Sequence, residues 1–276
     1  MVAPPDNDVL WARSLHHTHH GSPALSGVSV GVREGEVLAV HGPRGSGKTT
    51  LLHCLSGQLA PQDGEVWFNS APVHTMGPLQ RERLRRDRFG WIDPEPTLLP
   101  ELTAWENAAL PLLLRGCSHR AAKSTALEWL ERLDAGPCAT RRPHALLQSE
   151  RQRVAVARAL VADPTVLFAD EPTACLHQAD RSLVLRTLTA AARSHRITVV
   201  LATHDEAVAG IADRVIALVD GRRVGSMDAY VHQAAGLLAA EDGGAAADAG
   251  PETDAAADRL GGLDGAEGRD ACSLSV

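Results

Sequence analysis

The segment Gly42-Pro43-Arg44-Gly45-Ser46-Gly47-Lys48-Thr49-Thr50 constrains this chain more than any other. It fits G-x-x-x-x-G-K-[ST], a pattern that works only between a strand and a helix. Val37-Leu38-Ala39-Val40 before it reads as a buried strand, and Thr50-Leu51-Leu52-His53-Cys54-Leu55 after it reads as a helix start. Glycines in the loop let backbone N–H groups turn onto a polyanion without a clashing Cβ. The helix N-terminus adds partial positive charge. Lys48 can then reach the outer phosphates of a nucleotide, and the Thr49 hydroxyl can bind Mg²⁺.

A second cluster lies far downstream. Val166-Leu167-Phe168-Ala169 is an apolar strand that ends in Asp170-Glu171. A carboxylate at such a strand end can hold Mg²⁺ beside the phosphate loop, and the next can orient or deprotonate an attacking water. Asp170 is the expected metal residue and Glu171 the expected catalytic one.

Strands and helices alternate between these motifs. Val28–Val32, Gly64–Phe68, Ile197–Leu201 and Val215–Val219 read as strands, the last followed by a hairpin turn at Asp220-Gly221. Trp105–Leu114, Ala121–Leu133, Val154–Leu160 and Leu183–Ala192 read as helices. This order predicts an α/β fold with a largely parallel sheet. Past about Gly236 the chain is rich in Ala, Gly and acidic residues, with Arg259 and Arg269 its basic residues, and is expected to be disordered.

The net charge of −7 argues against nucleic acid as a partner. Five scattered cysteines show neither zinc spacing nor a disulfide framework, which suits a reducing cytosol. The N-terminus lacks the pattern of a signal peptide, and no apolar run is long enough to span a bilayer. Work at a membrane would therefore need another chain as anchor. The run His16-His17-Thr18-His19-His20 suggests adventitious metal binding at most, and Arg81, Arg83, Arg85, Arg86 and Arg88 read as a solvated face.

Four segments together resemble the ATPase subunits of ABC transporters: Gly42–Thr50; Gln152–Leu160; Phe168-Ala169-Asp170-Glu171-Pro172-Thr173; and Leu201-Ala202-Thr203-His204-Asp205. They stand in that family's order. Leu98–Asn107, running into Leu112–Gly116, is similar to the branch serving lipoprotein release, macrolide export, cell-division and peptide-resistance permeases. The resemblance implies a phosphate-loop ATPase domain over residues 8–232. It would have a RecA-like parallel-sheet core, a small antiparallel β-region and a helical subdomain at about 93–163, followed by the tail at 233–276.

It also implies MgATP as ligand, a transmembrane permease as partner, and a second ATPase subunit closing head to tail over two ATP molecules. The chain would then sit in the cytoplasm, on the inner face of the membrane through the permease. His204 would contact the γ-phosphate, and His19 aligns with the aromatic residue that stacks on adenine. Gly42, Pro43, Arg44, Gly45, Ser46, Gly47, Lys48, Thr49 and Thr50 would cradle the phosphates, with Thr49 and Asp170 on the metal.

The chain departs from that pattern at four places, one of them His19, an imidazole able to stack where a tyrosine is usual. Leu146-Leu147-Gln148-Ser149-Glu150 stands where Leu-Ser-Gly-Gly-Glu is usual, so Leu147 offers no hydrogen bond to a partner's phosphate. Pro94 stands where a glutamine binds Mg²⁺ and senses the γ-phosphate, with Asp93 and Glu95 as neighbouring carboxylates. His177 replaces an aspartate that links the two sites. Two readings follow. One is a hydrolysing transporter subunit; the other is an ATP-binding but hydrolysis-poor regulatory subunit of a heterodimer.

Overall fold

The computed structural model describes residues 8–225; the expected disordered tail lies outside the described residues. In chain order the elements are β1 (Asp8–His19), β2 (Ser22–Arg33), β3 (Val37–His41), α1 (Lys48–Leu55), β4 (Asp63–Phe68), β5 (Ala71–Pro72), α2 (Pro78–Arg88), β6 (Phe89–Ile92), α3 (Ala104–Leu114), α4 (His119–Arg132), α5 (Gln148–Leu160), β7 (Val166–Asp170), α6 (Gln178–His195), β8 (Thr198–Thr203), α7 (Glu206–Ala209), β9 (Arg214–Val219) and β10 (Arg222–Val224). Six strands form one sheet in the order β10-β9-β3-β8-β7-β6. All its pairings are parallel except the β9–β10 hairpin. A second, antiparallel sheet has the order β2-β1-β4-β5.

Strands β3, β7 and β8 are buried at every residue. That is the signature of parallel strands covered on both faces, and it is why they read as unbroken apolar runs. Successive side chains point to opposite faces. Val166, Phe168, Val200 and Ala202 join the core shared with α1 and the antiparallel sheet. Leu167, Ala169, Val199 and Leu201 join the core built by α3, α4, α5 and α6. The sheet is thus the wall between two hydrophobic cores, and every parallel strand delivers its carboxyl end to the same edge.

In the histidine run, His16, His17 and His19 lie within β1, and His20 begins the tight turn to β2 with positive φ. Helix α5 begins at Gln148, so Gln148, Ser149 and Glu150 form its first turn, six residues before the predicted start. The arginine-rich segment is helix α2, which buries none of its residues. Its Arg85 donates to the Gly57 carbonyl.

Asn107 organises the entry to α3. Its Oδ1 accepts from Leu99 N at 2.7 Å, and its Nδ2 donates to the carbonyls of Leu99, Leu102 and Thr103. It is fully buried. Glu106 completes the turn by accepting from both the backbone N–H and the hydroxyl of Thr103. Asn107→Ala would strand several buried backbone groups and is expected to cost roughly 2–4 kcal/mol of stability, measured by chemical denaturation.

Candidate nucleotide site

The carboxyl ends of β3, β7 and β8 bring the sequence motifs together. His41 on β3 stands opposite Thr203 on β8, and Asp170 on β7 opposite Ala202 on β8. The phosphate loop leaves β3 at Gly42. A Cβ there would overlap the Leu218 carbonyl oxygen, and one at Gly47, where φ is +97°, would overlap the Ala24 carbonyl oxygen. Both positions therefore require glycine on steric grounds as well as for the turn. Gly45 also has positive φ but faces open space.

Pro43, Arg44, Gly45 and Thr49 are exposed, whereas Gly42, Ser46, Lys48 and Thr50 are buried. The Lys48 ammonium donates to the carbonyls of Gly42 and Pro43, each at 2.8 Å, and lies 3.9 Å from Glu171. Burial pushes its pKa down, against the pull of Glu171 and Asp170. Beside the loop lies a cavity of about 320 Å³ lined by His19, Ala24, Gly47, Lys48, Thr49 and Thr50 among others. His19 Nε2 is 3.2 Å from the Thr50 hydroxyl, and the His17 ring meets the His19 ring edge-on at 4.8 Å.

The Thr49 hydroxyl donates to Asp170 Oδ2 at 2.6 Å. Asp170 Oδ1 is buried and has no hydrogen-bond partner among the described residues. A buried carboxylate oxygen left in this way costs energy unless a cation or donor meets it. Hard oxygen donors of this kind suit Mg²⁺, which takes one or two protein oxygens and completes its shell with water and phosphate. The residues therefore fit the ion. Among the described residues no group of three or more His, Cys, Asp or Glu side chains is placed to hold a metal by itself.

Glu171 has φ of +44°, a left-handed backbone that non-glycine residues rarely adopt. Its N–H donates to the Ala202 carbonyl at 2.9 Å. Its Oε1 lies 2.7 Å from His204 Nδ1, and its Oε2 accepts from the Thr203 hydroxyl at 3.3 Å. Thr203 was not singled out by its chemistry in the sequence, where it reads as part of a strand. The same hydroxyl accepts from Asp205 N, which fixes the bend that carries His204. His204 itself is exposed at the mouth of the site.

The other three departures also have places. Leu147 occupies the N-cap position of α5 without a side-chain cap and is largely exposed (69%), while Glu150 accepts from the Leu147 N–H at 2.8 Å. His177 is exposed at the start of α6 and makes no side-chain cap. The Asp93 carboxylate accepts from Trp91 Nε1 at 2.6 Å and from the Thr97 hydroxyl at 3.4 Å. Pro94 and Glu95 are exposed beside it.

The family model described as ABC transporter matches residues 25–174. The chain belongs to the ABC transporter family. It is an ABC-type ATP-binding subunit, a nucleotide-binding ATPase of transport. The chain is 36% identical over 220 residues to the lipoprotein-releasing system ATP-binding protein LolD of Legionella pneumophila, covering 78% of this chain and 97% of that protein. Its fold matches the dimeric structure of MJ0796, a bacterial ABC transporter cassette, with a TM-score of 0.75 and 31% identity. That match covers 78% of this chain and 97% of the cassette. It also matches a post-hydrolysis dimer of MJ0796 bound to ADP and Pi, with a TM-score of 0.73, 30% identity and the same coverage.

Asp170 supplies a pH and stability test of this ABC site. Burial raises its pKa, more than the Thr49 hydrogen bond lowers it. A carboxyl with a raised folded pKa favours folding while protonated, and that contribution is lost as pH rises through the folded pKa. Above the folded pKa the ionised group is therefore a cost to the nucleotide-free fold. Asp170→Asn is expected to melt higher than wild type without nucleotide. It should also lose the further Mg²⁺-dependent rise in melting temperature on adding ATP, with both effects read in paired thermal melts.

Proposed function

We propose that this chain hydrolyses MgATP at its own phosphate loop to power a separate membrane permease of the lipoprotein-release type. The observation that carries this reading is the contact of Glu171 with His204, set beside Lys48 and the Thr49–Asp170 pair. The family membership supplies the reaction, and the likeness to lipoprotein-releasing ATP-binding subunits supplies the kind of permease.

In this reading Gly42 to Thr50 bind the phosphate chain through backbone N–H groups and the Lys48 ammonium. His19 stacks on the adenine. Glu171 accepts a proton from the attacking water, or orients it, as the phosphorus–oxygen bond to ADP breaks. His204 Nε2 is the nitrogen left for the γ-phosphate, and it donates to a phosphate oxygen when both ring nitrogens carry protons, with Nδ1 donating to Glu171. Thr49 and Asp170 hold Mg²⁺, which neutralises charge on the phosphates when bound. The strained backbone at Glu171 suits a group held for chemistry rather than for stability.

The domain occupies residues 8–232, with its helical lobe at about 93–163. A second ATPase subunit faces it, as in the dimeric cassette it resembles. Among the described residues no helix is long and apolar enough to cross a membrane, so attachment at the inner face falls to the permease. The exposed Leu147 side chain favours a heterodimer, in which a different subunit contributes a serine-bearing segment to this chain's ATP. The weakened segment then faces the partner's nucleotide.

Two experiments test these statements. Glu171→Gln should leave ATP binding intact and lower turnover by roughly 10²–10⁴-fold, the range for loss of a general base. Retained turnover would remove Glu171 from the chemistry. Leu147→Ser should stabilise the fold by about 1 kcal/mol, because serine caps a helix and leucine does not. In a heterodimer, turnover by the isolated chain should stay low in that variant and rise only on adding a subunit with an ordinary signature. A Leu147→Ser chain that hydrolyses ATP faster by itself would establish the homodimer.

A further inference from the structure

Gln152 is fully buried on α5, yet it is a polar residue that takes no part in the site described above. Its Nε2 donates to the Asp93 carbonyl at 3.1 Å and to the Pro172 carbonyl at 3.0 Å. Both partners accept only, so the amide orientation is settled: the NH₂ group faces them. Its Oε1 is buried without a hydrogen-bond donor among the described residues. The side chain is therefore held in place by its two donor bonds.

These bonds join three parts of the molecule. Asp93 is the residue after β6, where the chain leaves the sheet for the helical lobe. Pro172 follows Glu171. Helix α5 belongs to the lobe, and its first turn carries Gln148, Ser149 and Glu150. Both accepting carbonyls sit on backbone stiffened by proline. Asp93 precedes Pro94, which restricts it to extended conformations, and Pro172 has its own φ fixed. A displacement of α5 is thus passed to the backbone beside Glu171 with little slack.

The next residue grips the far end of the same segment. Arg153 pairs with Asp180 on α6 at 3.4 Å. Arg181 then donates to the Leu176 carbonyl and pairs with Asp205, the neighbour of His204. Two consecutive residues of α5 therefore hold both ends of the stretch from Pro172 to Asp180. Pro94 has no side-chain amide or carboxyl to reach the nucleotide, whereas the Gln152 amide ties the hinge to the Glu171 strand end.

We propose that Gln152 is a positioning residue that couples the helical lobe to Glu171, so that movement of α5 sets the carboxylate for hydrolysis. This rests on the reading of Glu171 as the group that activates water. Gln152→Met keeps the volume and removes both donors. It is expected to lower kcat about tenfold or more, with KM and the affinity for Mg²⁺ and the non-hydrolysable analogue AMP-PNP within about twofold of wild type. Gln152→His retains a ring N–H donor and should recover part of the rate.

Hydrogen exchange on the full chain reads the coupling directly. In wild type, AMP-PNP should protect residues 42–50, and exchange in 148–160 and 171–177 should change with one shared midpoint. In Gln152→Met the protection at 42–50 should persist while the response at 171–177 is lost. A Met variant with wild-type kcat, or with an unchanged response at 171–177, would overturn the proposal. So would separate midpoints for the two segments in wild type, a result that does not depend on any variant folding. Absence of protection at 42–50 in wild type would instead strike the nucleotide reading on which the proposal rests.

Discussion

Burial of the parallel strands on both faces is the constraint from which the rest follows. Strands β3, β7 and β8 have no exposed residue, so polar side chains with work to do are displaced to the strand ends. Parallel direction puts those ends on one edge. Gly42, Asp170, Glu171, Thr203 and His204 then meet without any of them being near another motif in sequence. The left-handed Glu171 follows from the same arrangement: the chain turns sharply off β7 while its N–H still donates to β8. The site is thus a by-product of strand packing, refined by a few hydrogen bonds.

Much of this was legible in the sequence. Unbroken apolar runs identify buried parallel strands, and G-x-x-x-x-G-K-T places the loop between one of them and a helix. What escaped was information carried by tertiary contact. The start of α5 was invisible because Gln148, Ser149, Glu150 and Arg151 are polar and give no periodic signal, and Leu147 is a poor cap. Gln152 opens one of the family-like segments, but nothing in the sequence marks it as buried. Its burial depends on carbonyls 59 and 20 residues away that come together only in the fold. The Asp93 carboxylate is held by the indole N–H of Trp91, a contact for which the sequence gives no sign.

The departures from the family pattern are unevenly distributed. Everything on the phosphate-loop side is kept: the glycines, Lys48, Thr49, Asp170, Glu171 and His204. Apart from His19 in place of the usual tyrosine, the changes fall at Pro94, at Leu147 to Ser149 and at His177, in the hinge and in segments that the family turns toward a second subunit. Capacity to bind nucleotide and dependence on a partner are therefore written into separate parts of the chain, and can drift independently.

The long hairpin of β1 and β2 extends this separation to the ligand. His19 stands at the tip of a twelve-residue strand in the antiparallel sheet, and touches the phosphate-loop helix through Thr50. On the proposed reading, the surface beside the base and the surface that holds the phosphates would be carried on different sheets. A gene duplicate could change its preference among purine and pyrimidine triphosphates by altering the hairpin tip alone, with the hydrolytic edge inherited intact.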